Sequence, residues 1–170
     1  MEILELLDRC VQNELNAAEV YARFAERFAA DDRLAELWRA MAREERNHAR
    51  KLATWRELVA AEPSECRPQA SGFAADVAAV EDLLASALAA APSVDEEEAF
   101  ALALGIETSE IDGIYTTLLH SSPLARFPDL AETVRREATA HHDTLLAEAE
   151  KRCRSERTRL RMALLAMHDH

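Results

Sequence analysis

A chain of 170 residues, 49% hydrophobic and 31% charged, can bury a single core and is not composed like a disordered segment. Its 32 acids against 20 Lys and Arg leave a net charge of −12, a field that repels phosphate backbones and argues against nucleic acid as a partner. Three Gly and five Pro, set among many Ala, Leu, Glu and Arg, favour helices throughout and leave little material for strands.

The first helix is expected from about Glu2 to Ala29. The residues at its start are acidic where a signal peptide would be basic, and no apolar run reaches membrane-spanning length, so the expectation is a cytoplasmic chain with no membrane partner. Asp31 or Asp32 caps a second helix that continues to about Ala61, and so short a connector forces the pair antiparallel. Pro63 and Pro68 mark a loop, followed by a subsidiary helix over Phe73 to Ala91. Ser93 and Glu96 have the spacing of a capping box for a third bundle helix, which runs to about His120 before Ser121-Ser122-Pro123 breaks it. A fourth starts near Pro128 and, with nothing to stop it, is expected to run past Lys151 towards Met167. Two antiparallel pairs joined by one long, helix-containing crossover make an all-α, ferritin-like four-helix bundle. The bundle is expected over residues 1–150, with a helical extension over 151–170. A plain up-down bundle with an inserted helix is the alternative.

Apolar residues recur along these helices at the three-four spacing of bundle packing. The first stripe is Ile3, Leu7, Cys10, Glu14, Ala17, Tyr21, Phe24, Phe28. The second is Leu34, Leu37, Met41, Glu45, His48, Leu52, Trp55; the third is Phe100, Leu104, Glu107, Ile111, Ile114, Leu118. The fourth is Phe127, Leu130, Val134, Glu137 or Ala138, His141, Leu145. Glu14, Glu45, His48, Glu107 and His141 are wrong for a core, and no Lys or Arg on the stripes answers them. A single Glu on a helix is usually solvated, as Glu19 and Glu44 are expected to be, and a single core His is usually hydrogen-bonded. Five such residues at one level are another matter: buried carboxylates cost several kcal/mol each and repel one another. A multivalent cation resolves both problems, and Glu with His is a ligand set for iron, manganese or zinc.

The two halves repeat with an offset of 93, which places Glu107 on Glu14, His141 on His48 and Leu145 on Leu52. The Glu-to-His separation is 34 residues in both halves (48 − 14 and 141 − 107). Cys10, Cys66 and Cys153 lie far apart and form no C-x-x-C, so no zinc ribbon or rubredoxin-type site is expected and the thiols are taken as reduced.

Glu14-x-x-Ala17-x-x-x-Tyr21, Glu45-x-x-His48 and Glu107-x-x-Glu110, in that order, resemble the helix motifs of the rubrerythrin family of ferritin-like di-iron proteins. The resemblance spans roughly residues 1–60 and 94–150 and implies two irons, with zinc as the other occupant of purified protein. It implies that Glu45 bridges the ions, that Glu14 and His48 hold one, and that Glu107 and His141 hold the other. It further implies that Glu110 is an extra ligand and that Tyr21 hydrogen-bonds to a ligand; packing in the core is the plainer role for Tyr21. The fourth helix departs from the pattern. Ala138 stands where the family has a bridging Glu; Glu137, turned about 100° from that position, is the candidate that would complete the ligand set through a small helix rotation. The second ion is therefore expected to bind more weakly. No rubredoxin-like segment is expected within these 170 residues, so the resemblance is to the bundle alone.

The function implied is an oxidoreductase acting on hydrogen peroxide, or on ferrous iron with dioxygen, fed by an external electron-donor protein. A non-catalytic protein with a degenerate one-metal site is the alternative. The basic run Lys151, Arg152, Arg154, Arg157, Arg159 and Arg161 suggests a homodimer in which this segment docks onto the acidic body of a second subunit.

Overall fold

A computed structural model describes residues 1–64, 67, 72–110 and 143–155, without the side chain of Glu110. Among the described residues the fold is all-helical, a ferritin-like helical bundle, with α1 at Ile3–Arg27, α2 at Asp32–Ala61, α3 at Ala74–Ala90 and α4 at Glu96–Glu110. A further helical segment covers residues 143–152. The Ser121-Ser122-Pro123 break, the Pro128 start and the sites expected at Glu110, Glu137 and His141 lie outside the described residues or side chains.

Local chemistry sets the helix ends. Asp31 caps α2, its Oδ1 accepting from the backbone N–H of Arg33 and Leu34 at 3.0 Å each. The capping box of α4 differs from the expected Ser93–Glu96 pair. Asp95 Oδ1 accepts from the Glu98 N–H at 2.8 Å, and Glu98 Oε2 accepts from the Asp95 N–H at 3.0 Å. Ser93 instead donates its hydroxyl to the Ala90 carbonyl at the end of α3. The helix that ends at residue 152 does not continue to Met167 without interruption: residues 153–155 are not helical, and Glu97 takes the N–H groups of Arg154 and Ser155.

α1 packs along α2 and also touches α3 and α4. Every residue of the expected α1 stripe is buried except Phe28, which is half-buried. On α2 the stripe passes through Trp38, fully buried, and not through the half-buried Leu37. With Trp38 the buried face reads Leu34, Trp38, Met41, Glu45, then Leu52, Trp55, Val59, a steady alternation of four and three. A second α1 face, with Leu6, Asn13 and Val20, is also buried. The crossover helix covers it, turning Val77, Val80, Leu84 and Ala87 inward. Arg9 fixes that docking with two hydrogen bonds to the Glu81 carboxylate, 2.7 Å each, and its guanidinium holds that carboxyl below its ordinary pKa.

The apolar core has two parts. One gathers Ile3, Leu6, Leu7, Cys10, Leu52, Trp55, Val59 and Val77. The other includes Tyr21, Phe24, Trp38, Met41, Leu84 and Phe100, and Leu145, Ala149 and Cys153 join it from the far end of the chain. Trp38 is the hub of this second part, stacked on Tyr21 with centroids 5.9 Å apart and packed on Phe24 at 5.2 Å and Phe100 at 5.0 Å. Arg152 closes this end by donating to Asp31 at 3.0 Å and Glu96 at 3.2 Å. One of the arginines expected to dock on a second subunit is thus engaged within its own chain; Arg157, Arg159 and Arg161 lie outside the described residues.

Two expected outcomes follow from this packing. Truncating Phe100 to Ala removes a fully buried ring from the hub and should cost about 3–5 kcal/mol, read as a lower urea midpoint at unchanged slope. The Cys153 thiol is pushed up to about 11, first by burial and then by Glu97, Glu96 and Asp95. At pH 8 only about one part in a thousand is then thiolate. Native protein should leave Cys153 unalkylated by iodoacetamide for hours at that pH, and denaturant should expose it within minutes; rapid native labelling at Cys153 would contradict the packing.

Candidate metal centre

Between the two parts of the core lies a polar layer. Glu14 sits on α1 between Cys10 of one cluster and Ala17 of the other, and Glu45 sits on α2 between Met41 and Leu52 in the same way. Helix periodicity puts them there: each occupies a core position of its stripe, so folding the stripe inward carries the carboxylate with it. Glu14 is 2% exposed and Glu45 0%.

His48, one turn after Glu45, completes the layer. Its Nδ1 lies 3.1 Å from Glu45 Oε2 and 3.7 Å from Glu14 Oε2. One ligand atom from each of the three residues falls within 4.8 Å of the others. The imidazole is the wettest member at 11% side-chain exposure, and this gives the layer an edge close to solvent. Two carboxylates and an imidazole, gathered at this distance and withdrawn from water, fit a divalent cation of the iron, manganese or zinc kind.

Glu107 also lies in the core, at 3% exposure on α4. It stands outside the three-residue group, and Tyr21 donates its hydroxyl to Glu107 Oε1 at 2.6 Å. The Tyr21 ring is meanwhile stacked on Trp38. The tyrosine therefore fills core space and also fixes one oxygen of a buried carboxylate. Glu107 and Glu14 are partners in the 93-residue repeat, as are Leu145 and Leu52, and all four are buried.

Glu19 and Glu44 are exposed, Glu19 paired with Arg23 on its own helix. Glu110, Glu137 and His141 cannot be placed, because the side chain of the first and the whole of the others lie outside the described residues. Two buried residues lie off the expected stripes. Trp38 was legible as the residue that keeps the four-three alternation intact. Asn13, 4% exposed beside Glu14, lies on the α1 face that carries Leu6 and Val20, which a stripe drawn for α2 contact alone does not reach.

The geometry separates neighbouring acids by function. Glu45→Ala and His48→Ala should each lower iron or zinc content several-fold, measured by elemental analysis after anaerobic loading. Glu44→Ala, turned about 100° away on the exposed face, should leave it unchanged. Equal losses in all three variants would show that the buried layer is not the metal site.

A family model described as Rubrerythrin matches residues 5–91, which span α1, α2 and the crossover helix and include Glu14, Tyr21, Glu45 and His48. No curated protein and no solved structure matches the chain. The match covers half of the chain and falls on the helices that carry the buried Glu-Glu-His group: the chain belongs to the rubrerythrin family.

Proposed function

We propose that the protein is an iron-dependent oxidoreductase acting on hydrogen peroxide, or on ferrous iron with dioxygen. The observation that carries this reading is the buried Glu14–Glu45–His48 group, a ligand set enclosed by apolar helices in a chain of this family. Glu14, Glu45 and His48 would hold one ion, and Glu107, with His141 from the repeat, the other. Two ferrous ions held there would supply the two electrons that, with two protons taken up from water, reduce one peroxide to two waters.

The rest of the chemistry belongs to the chain. Carboxylates stabilise ferric iron and change their mode of attachment as charge changes. The apolar clusters on either side of the layer keep bulk water from the carboxylates and so strengthen their hold on a cation. Tyr21 holds Glu107 at a fixed oxygen, acting as a positioning residue for that ligand. Reduction of the spent site would fall to an external electron-donor protein.

A second reading is metal binding without turnover. What favours it is Ala138, which stands where the family pattern has a bridging Glu, beside a single group of described ligands formed by Glu14, Glu45 and His48. Anaerobic ferrous loading followed by one equivalent of peroxide separates the two. The first reading expects more than one iron per two chains and oxidation of the bound ferrous ions within the mixing time, seen as ferric absorption and an exchange-coupled pair. Tight iron that peroxide does not oxidise would leave the second reading. Trace metal before and after loading would overturn both.

A further inference from the structure

Among the described residues, three carboxylates and one amide are buried with the core: Glu14, Glu45, Glu107 and Asn13. A cation answers the charge of the carboxylates. It does nothing of the kind for a neutral amide, and Asn13 is turned about 100° around α1 from Glu14, so it calls for a partner of its own.

Asn13 Oδ1 is buried and meets no hydrogen-bond donor among the described residues. Leucine has nearly the volume of asparagine and would suit a face that carries Leu6 and Val20. An amide oxygen left unpaired there costs free energy that leucine would not. The surroundings along the helix are polar on one side. Arg9 stands four residues before Asn13 and Asn16 three after, both half-buried, and this spacing sets the three in one row on α1. Arg9 is bonded to Glu81, and Asn16 Oδ1 accepts from the Gln12 amide at 3.0 Å. The row therefore begins in side chains that touch solvent and, at Asn13, reaches the residue next to a metal ligand.

A buried amide oxygen with no protein donor is a seat for an ordered water. The chemistry proposed for the layer gives such a water a task. Reducing one hydrogen peroxide to two waters consumes two electrons and two protons, and while the electrons come from the ferrous pair, the protons must come from solvent. The apolar clusters that shield the layer from bulk water also shield it from bulk protons. We infer that Asn13 binds a water molecule through which protons pass from solvent to the metal layer, an inference that rests on the peroxide reading above. One hydrogen of this water bonds to Asn13 Oδ1. The other leaves as a proton towards the layer, and the oxygen takes its replacement from solvent, so the water is regenerated and the amide never changes charge. Asn13 is thus a positioning residue: it orients the water and touches neither metal nor peroxide.

Asn13→Leu removes the amide at nearly constant volume, and Asn13→Ser keeps an oxygen able to hold a water. A crystal structure of the zinc-loaded parent, which peroxide does not oxidise, should show an ordered water within hydrogen-bond distance of Asn13 Oδ1. Asn13→Leu should have a urea midpoint no lower than the parent and bind ferrous iron as tightly, because an amide and its water are exchanged together for an apolar group. Loaded anaerobically with ferrous iron, the Leu variant should be oxidised by peroxide about tenfold more slowly, with a larger solvent deuterium isotope effect. Asn13→Ser should recover most of the parent rate. No water at Oδ1, a Leu variant as fast as the parent, or an unchanged isotope effect would each overturn the inference and leave the peroxide reading standing. A Leu variant slowed only in proportion to lost iron or lost stability would do the same, by showing the amide to be structural. A parent chain that peroxide does not oxidise would overturn both.

Discussion

Two carboxylates held in the middle of a helix pair are the constraint on which this structure turns. Glu14 and Glu45 occupy positions that the helical period assigns to the core, and they are as withdrawn from water as the leucines around them. A buried carboxylate is tolerated when something answers its charge, and answering both from one place is what a cation does. The layer divides the apolar interior into two clusters, so each must be sufficient to hold its own end of the bundle.

Each end has its own device. At the end holding the chain's N-terminus, the crossover helix sends Val77 into a cluster with two turns of α1 and the last turns of α2, and Arg9–Glu81 fixes the register. At the other end the Trp38 hub joins α1, α2 and α4, and Arg152 bonds across the starts of α2 and α4. The Asp31 carboxylate serves twice there: it caps α2 and receives Arg152, and both contacts hold its pKa below the ordinary carboxylate value. Pinning both ends leaves the middle free to carry polar side chains whose place is set by rigid helices, the arrangement a metal centre needs.

Tyr21 links the two requirements. Its ring belongs to the hub and its hydroxyl reaches Glu107, so the packing of one cluster orients a buried carboxylate. A side chain that seems to pose a choice between packing and hydrogen bonding takes both, because its two ends lie in different surroundings.

Over the described residues, the sequence by itself determined the helices, the antiparallel first pair, the crossover with its own helix, and the intrusion of Glu14, Glu45, His48 and Glu107 into apolar stripes. Period and composition suffice for these because they are properties of one helix at a time. It misassigned what depends on local competition. Ser93–Glu96 and Asp95–Glu98 both have capping spacing, and the choice falls to Asp95 while Ser93 closes the preceding helix. Only the tertiary structure decided that α1 buries a second face against the crossover and that Arg152 turns back onto its own chain. These are facts of distance between elements far apart in sequence. So is the meeting of Glu14 with Glu45 and His48: each residue announces itself as out of place, but only the hairpin brings their ligand atoms within 4.8 Å.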